Sequence, residues 1–327
     1  MVGGKLADLL GPVRVQIVTL GSTCLWMLLM TQLERPLLLV PAVFVLGVLN
    51  DAFRPGNITA VGGSCEPALR RRALSLNRLA LNAGWAIGPT VGGHLADVDF
   101  RWLFVADGTT CGLAALFLWI VLRDWRPTLE ARDANDARSG RPLADRHFVV
   151  LLAFTFCYLF AFLQYFSTGS RWLEHEFGYD KSTIGWFLAI NPIVIVLFEM
   201  PAVHALRGRA ALPIVALGCV VTAIGFVLFV PSRGAVTISI AMATIAIGEI
   251  LQMPLLGAHV NDHAPAHARG AYNGAYAGMF SLGMVLAPWL GGELYDAAGP
   301  DSLWWTCGGL GLVAAFGFWS LHRRGRG

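Results

Sequence analysis

Charge is scarce in this chain. Aspartate, glutamate, lysine and arginine make up 14% of its 327 residues, against roughly 25% in soluble domains. The deficit runs along the whole length, and the mean hydropathy is +0.60. Both exclude an ordinary water-soluble protein. Cysteine is also scarce, and its spacing is uninformative. Cys24, Cys65, Cys111, Cys157, Cys219 and Cys307 are far apart and form no Cys-x-x-Cys pair, so neither a disulfide framework nor a thiolate metal site is expected. Period-two alternation is missing, which excludes a membrane barrel. No Gly-x-x-x-x-Gly-Lys stretch cradles a phosphate, which argues against an ATP-driven pump. No stretch reads as a soluble catalytic domain, so an enzyme is not expected. No cleavable signal peptide is expected either, because no small-residue cleavage site follows the first apolar run at Val15.

What remains is apolar sequence of spanning length. Ten stretches run approximately Val15–Leu33, Leu37–Ala60, Ala73–Leu95, Trp102–Leu122, Phe148–Thr168, Ile184–Leu206, Ala211–Val230, Ala235–Val260, Tyr272–Leu294 and Leu303–Leu321. Each is near the roughly 20 residues that carry a helix across a bilayer. The expected fold class is therefore an all-α polytopic membrane protein. Basic residues set its orientation. Alternate loops hold 18 of the 24 lysines and arginines, the opposite loops hold five, and Arg54 lies inside a span. The rich side is cytoplasmic by the positive-inside rule, so both ends of the sequence are expected there. A polar connector, 123–146, separates an N-terminal half-bundle (1–122) from a C-terminal bundle (147–327), with four spans before it and six after.

An internal repeat accounts for that asymmetry. "NAGWAIGPTVGGHLAD" at 82–97 matches "SLGMVLAPWLGGELYD" at 281–296. Gly84, Pro89, Gly92, Gly93, Leu95 and Asp97 align with Gly283, Pro288, Gly291, Gly292, Leu294 and Asp296 at a constant offset of 199, which also places Pro55 on Pro254 and Arg70 on Arg269. A constant offset over two helices and their loop indicates duplication. The counterpart of the fifth span would start about fifty residues before Met1. The expectation is ten of twelve helices, with the first two lacking.

These features resemble the major facilitator superfamily of secondary transporters. "GGKLADLLGPVR" is similar to that family's loop after its second helix, with Gly4, Asp8, Gly11 and Arg14 in the gating positions. "GWAIGPTVGG" resembles the fifth-helix motif of the drug:proton antiporter branch, as do "FRPGNITAV" and "RRRALSLNRLALNAG". Two departures weaken the loop's charge-based latching. Pro12 stands where the family has a basic residue, and "VHALRGRAAL" in the second half has lost its acidic residue. The resemblance implies alternating access between two six-helix halves.

Small residues at helical spacing, Gly84, Gly88, Gly92 and Gly93, form a smooth stripe, and Pro89 bends the helix. With Pro288, Gly291 and Gly292 in the second copy, they are the expected hinge; plain packing is the simpler alternative. Ionisable residues inside spans are costly and point to function. Asp51 and Arg54 share a helix face and can pair. Glu249 has no neighbour on its own helix to neutralise it, and can take up and release a proton. Glu199 and Asp107 are further proton-coupling candidates. Gln164, Tyr165, Asn191, Gln252 and Tyr276, with Tyr272 and Asn273, are candidate solute contacts. His259, His263 and His267 recur every fourth residue, but Pro265 interrupts the helix, so no metal is expected.

The leading expectation is a proton-coupled exporter of small apolar or cationic compounds in the plasma (inner) membrane. It would be driven by the proton gradient without a cofactor. Its partners are the lipid bilayer and a small-molecule substrate, with no nucleic acid, and the expected state is a monomer. The rivals are a facilitator or symporter for sugars, organic acids or peptides, and a truncated membrane protein that transports nothing.

Overall fold

A bilayer offers no partners for backbone polar groups, so spanning segments must satisfy their own. The described residues do so as helices almost throughout. The computed structural model describes residues 11–33, 35–63, 69–122, 142–206, 208–265 and 268–324. Helix α1 is Pro12–Met30, α2 Pro36–Gly63, α3 Arg70–Val98, α4 Arg101–Leu122, α5 Arg146–Gln164 and α6 Thr168–Phe177. They are followed by α7 Lys181–Ala205, α8 Ala211–Phe229, α9 Ala235–His263 and α10 Arg269–Arg324. Among the described residues, six helical spans are long and apolar enough to cross a membrane, and α5 with α6 forms one of them.

Local sequence explains the ends. Gly11 takes φ 85°, and Pro12 occupies the first helical position of α1, where a missing N–H costs nothing. Asp145 caps α5 by accepting from the Phe148 backbone N–H at 3.0 Å. Asp180 caps α7 through Thr183 at 2.9 Å. Gly178, at φ 65°, closes α6 in the left-handed conformation. The last two expected spans both lie within α10 and are separated at Gly299, whose backbone is non-helical (φ 81°, ψ 171°), just before Pro300. The fifth span, expected to stop at Thr168, runs on as α6. That helix buries Trp172 and Leu173 while exposing Glu174, His175 and Glu176. Its polar face hides it from a hydropathy reading.

The chain divides into two compact units, Met1–Leu81 with Val91–Arg132, and Asn82–Thr90 with Asp133–Gly327. In the first, α1 packs on α2 and α4. A Cβ on Gly108 of α4 would lie 3.1 Å from Met27 Cβ and 3.2 Å from the Cys24 carbonyl oxygen, so glycine sets that approach. Met30, Ala42 and Leu46 form a small core, and Trp26 donates to the Ala42 carbonyl at 2.9 Å.

In the second unit, α8 packs against α9 and α10, α5 against α10, and α7 against α9. The α8–α9 seam is glycine against glycine. A Cβ on Gly218 would lie 2.7 Å from the Gly248 carbonyl oxygen, and one on Gly248 would strike the Thr222 hydroxyl. Here backbones touch, so packing and not hydrophobic transfer holds the helices together. The remaining core runs from Phe148 and Leu151 through Phe226 and Ile245 to Trp304 and Phe318.

Candidate functional site

The α8-facing stripe of α9 carries Ala241, Ile245, Gly248 and Gln252. Glu249 follows Gly248 and is therefore turned about 100° away from that seam. It meets α7 there. Asn191 donates from Nδ2 to Glu249 Oε2 at 2.8 Å. Asn191 is buried and Glu249 half-buried. The two residues were singled out for different roles, proton coupling and solute contact, and the structure brings them together.

Two tyrosines of α5 complete the surroundings. Tyr158 and Tyr165 are buried and lie within electrostatic range of Glu249. Tyr165 donates its hydroxyl to the Phe187 carbonyl at 3.3 Å. Pro192, five residues on, lacks the N–H that would bond the Leu188 carbonyl of the same helix. Tyr158 approaches Thr222 of α8 at 3.5 Å, and Tyr276 of α10 lies in electrostatic range of Tyr158. The Glu249 carboxylate and the Asn191 amide thus meet between α9 and α7, with Tyr158 and Tyr165 of α5 in electrostatic range. Such a group can accept a proton at the carboxylate and rearrange its donors in response. Tyr158 and Thr222 were not singled out from the sequence. The seven-residue spacing of Tyr158 and Tyr165, two turns on one helix face, was the available signal.

The remaining candidates scatter. Gln164 is fully buried, donating to the Ala287 carbonyl at 2.7 Å and accepting from Thr168 Oγ1 at 2.7 Å. Its amide is spent on tying α5 and α6 to α10. Gln252 lies on the α8-facing stripe, and its buried Oε1 has no hydrogen-bond partner among the described residues. Glu199 is buried further along α7, and Asp107 is exposed on α4. Asp51 and Arg54 lie on α2, but their side chains fall outside the described residues, as do Gly4 and Asp8 altogether. Arg14 is exposed in the first turn of α1.

The hinge residues divide in a way the sequence does not announce. A Cβ on Gly84, Gly88 or Gly292 would meet nothing within 4 Å, and one on Gly92 only Leu103 Cδ2 at 3.3 Å. Close approach occurs instead where Gly185 of α7 lies on the Pro89 carbonyl, and where Gly291 lies on the Gln164 amide. Pro89 and Pro288 are both accommodated inside their helices. Asp296 makes a two-pronged bond with Arg171 at 2.7 and 3.1 Å. Both partners are substantially exposed, so solvent screens this contact and it adds little to stability.

A second polar cluster lies where α5 starts and α9 ends. His263 Nε2 lies 2.7 Å from Asp145 Oδ2, and Tyr272 donates to the same oxygen at 3.1 Å. Burial pushes the Asp145 carboxyl up. The hydrogen bonds from Phe148 N–H, His263 and Tyr272 outweigh it and hold the group below the ordinary aspartate value. Tyr272, a candidate solute contact, is engaged with Asp145 at this end. No group of three or more metal-ligating side chains exists among the described residues; His263 faces a carboxylate, and His267 lies outside them.

Long apolar helices packed through glycine seams, with the Glu249 carboxylate half-buried among them, define a polytopic membrane protein. The family profile of the Major Facilitator Superfamily matches residues 1–282 and again 172–326, and the chain belongs to that family. The uncharacterized MFS-type transporter YqjV of Bacillus subtilis (strain 168) is 26% identical over 326 residues, covering 95% of this chain and 78% of that protein. Multidrug resistance protein 1 of the same organism is 25% identical over 265 residues, 77% of this chain. The match spans 65% of that relative, less than two thirds of its length. Multidrug resistance protein MdtH of Yersinia pestis (strain Pestoides F) is 24% identical over 337 residues, covering 98% and 81%. Among solved structures, a POT family transporter in complex with a thioalcohol-conjugated peptide superposes with a TM-score of 0.80 at 13% identity, over 98% of this chain and 84% of the other. The nucleoside transporter NupG does so at 0.78 and 14%, over 98% and 86%. At these identities the two structures speak for the fold alone.

Proposed function

We propose that this transporter exports small apolar or cationic compounds in exchange for protons, with Glu249 as the proton carrier. The observation that carries this reading is the Asn191–Glu249 hydrogen bond of 2.8 Å inside the second unit. A carboxylate among apolar helices is costly to keep and is retained for a task. Here it sits beside an amide that can donate to a carboxylate or, turned over, accept from a carboxylic acid. The multidrug resistance relatives and the "GWAIGPTVGG" stretch favour apolar or cationic cargo and the antiport branch. A uniporter has no need for a titrating Glu249. Adding a cationic dye to purified protein in weakly buffered detergent solution is therefore expected to release close to one proton per dye bound, and none in Glu249→Gln. Equal release from both proteins would move the carrier elsewhere, with Glu199, Asp107 and Asp51 next in line.

The location proposed is the plasma (inner) membrane, as a monomer, with the arginine-rich loops facing the cytoplasm. A cysteine at Arg209 is then expected to be protected from an impermeant reagent in intact cells, and one at Lys181 to be labelled. The reverse pattern would overturn the orientation.

A further inference from the structure

Asp145, His263 and Tyr272 stand on three different elements and meet at one oxygen. Asp145 precedes α5, His263 ends α9, and Tyr272 is in the first turn of α10. Asp145 Oδ1 holds the Phe148 N–H at 3.0 Å, while Oδ2 takes both His263 at 2.7 Å and Tyr272 at 3.1 Å. Rings reinforce the junction. His147 stacks on His263 with centroids 5.2 Å apart, and Phe148 lies against Tyr272 at 4.5 Å. The His263 end of α9 is also a lever. Pro254 interrupts the ladder of α9 nine residues before His263, and a helix bends most easily at such a point. Glu249 lies on the other side of that point, five residues before Pro254.

We propose that Asp145 and His263 form a pH-sensitive latch. It pins the last turns of α9 to the start of α5 when His263 is protonated and frees them when it is neutral. A neutral imidazole gives the Asp145 carboxylate one hydrogen bond. An imidazolium gives the same bond and adds the attraction of an ion pair. Histidine is the side chain that makes this exchange between about pH 5 and 8. The latch therefore responds to the proton concentration in the compartment this end faces. Among the described residues, the titratable groups around His263 are His259 and Asp262 on its own helix, Asp145 and His147 at the start of α5, and Tyr272 on α10. Asp262 lies in electrostatic range of His259, and the His259 ring is 6.3 Å from that of His263. His147 and His259 flank His263, so a second proton on either would meet the first. His263 alone of the three directly contacts the Asp145 carboxylate among the described residues.

The device is separate from proton carriage by Glu249, and the test keeps them apart. Spin labels at Leu143 and Asn261, both exposed, would be placed on the full chain in nanodiscs after replacing its six native cysteines. The distance distribution is then read from pH 5.5 to 8.5. The ratio of short to long distances is expected to fall roughly two- to fivefold as pH rises, the worth of the ion pair lost when His263 becomes neutral. His263→Gln is expected to flatten the response. Asp145→Asn is expected to flatten it too while keeping the helix cap, since the amide oxygen still accepts from Phe148. Glu249→Gln is expected to leave the response intact even where transport is lost. A distribution unchanged with pH, or a response that survives His263→Gln, overturns the latch.

Discussion

Glu249→Gln is expected to reduce dye efflux driven by a pH gradient to the passive leak, while dye binding changes by less than about threefold. The substitution keeps the length and shape of the side chain and removes only its ability to exchange a proton. The glutamine carbonyl can still accept from Asn191 Nδ2, so the 2.8 Å contact between α7 and α9 survives and the bundle has no reason to loosen. Efflux from energised vesicles with and without the gradient measures the first effect, and dye titration of purified protein measures the second. Asn191→Leu is the companion experiment. It keeps the carboxylate but strips away a buried donor, a loss of about 1.5–3 kcal/mol for a bond to a charged group. Gradient-driven efflux is then expected to fall by one to two orders of magnitude without vanishing. Full gradient-dependent efflux in Glu249→Gln would remove this residue from the coupling scheme.

The spans are legible in the sequence because a bilayer leaves a segment little choice. Twenty apolar residues with no outside partner for their backbone become a helix. The repeat is legible because Gly92 and Gly291, or Pro55 and Pro254, keep a constant offset. What the sequence withholds depends on contacts between distant residues. Asn191 and Glu249 are 58 positions apart, and Asp145 and His263 are 118 apart, and no periodicity connects either pair. Helix α6 is missed because its amphipathic composition resembles a loop to a hydropathy window. The close approaches at glycine are not all at the motif the sequence displays. "GWAIGPTVGG" draws the eye to Gly84 and Gly88, where the structure shows open space, while Gly218 and Gly248 sit singly in apolar runs and form a backbone-to-backbone seam. A glycine's role is set by what lies opposite, and its own helix does not carry that information.

The repeat makes the same point testable, because Gly92 and Gly291 are equivalent by offset and unequal in surroundings. Gly92→Ala is expected to be nearly neutral. The added methyl would meet Leu103 Cδ2 at 3.3 Å, the tip of a flexible side chain that can turn aside. Replacing a helical glycine by alanine itself favours the helix by about 0.5–1 kcal/mol. Gly291→Ala is expected to be severe. Its methyl would overlap the Gln164 amide, which is fully buried and holds both the Ala287 carbonyl and the Thr168 hydroxyl at 2.7 Å. The amide has to leave, and buried polar groups on α5, α6 and α10 lose their partners at about 1–3 kcal/mol each. A net loss of about 2–4 kcal/mol follows after the helical gain is subtracted, read as a lower melting temperature of the purified protein. Gln164→Ala gives the control. It vacates the space the methyl needs, so in the double variant the second substitution should cost far less than it does alone, a coupling of at least about 1 kcal/mol. Equal melting temperatures for Gly92→Ala and Gly291→Ala would show that the two copies of the motif are packed alike, and that the Gln164 tie does not hold α10 in place.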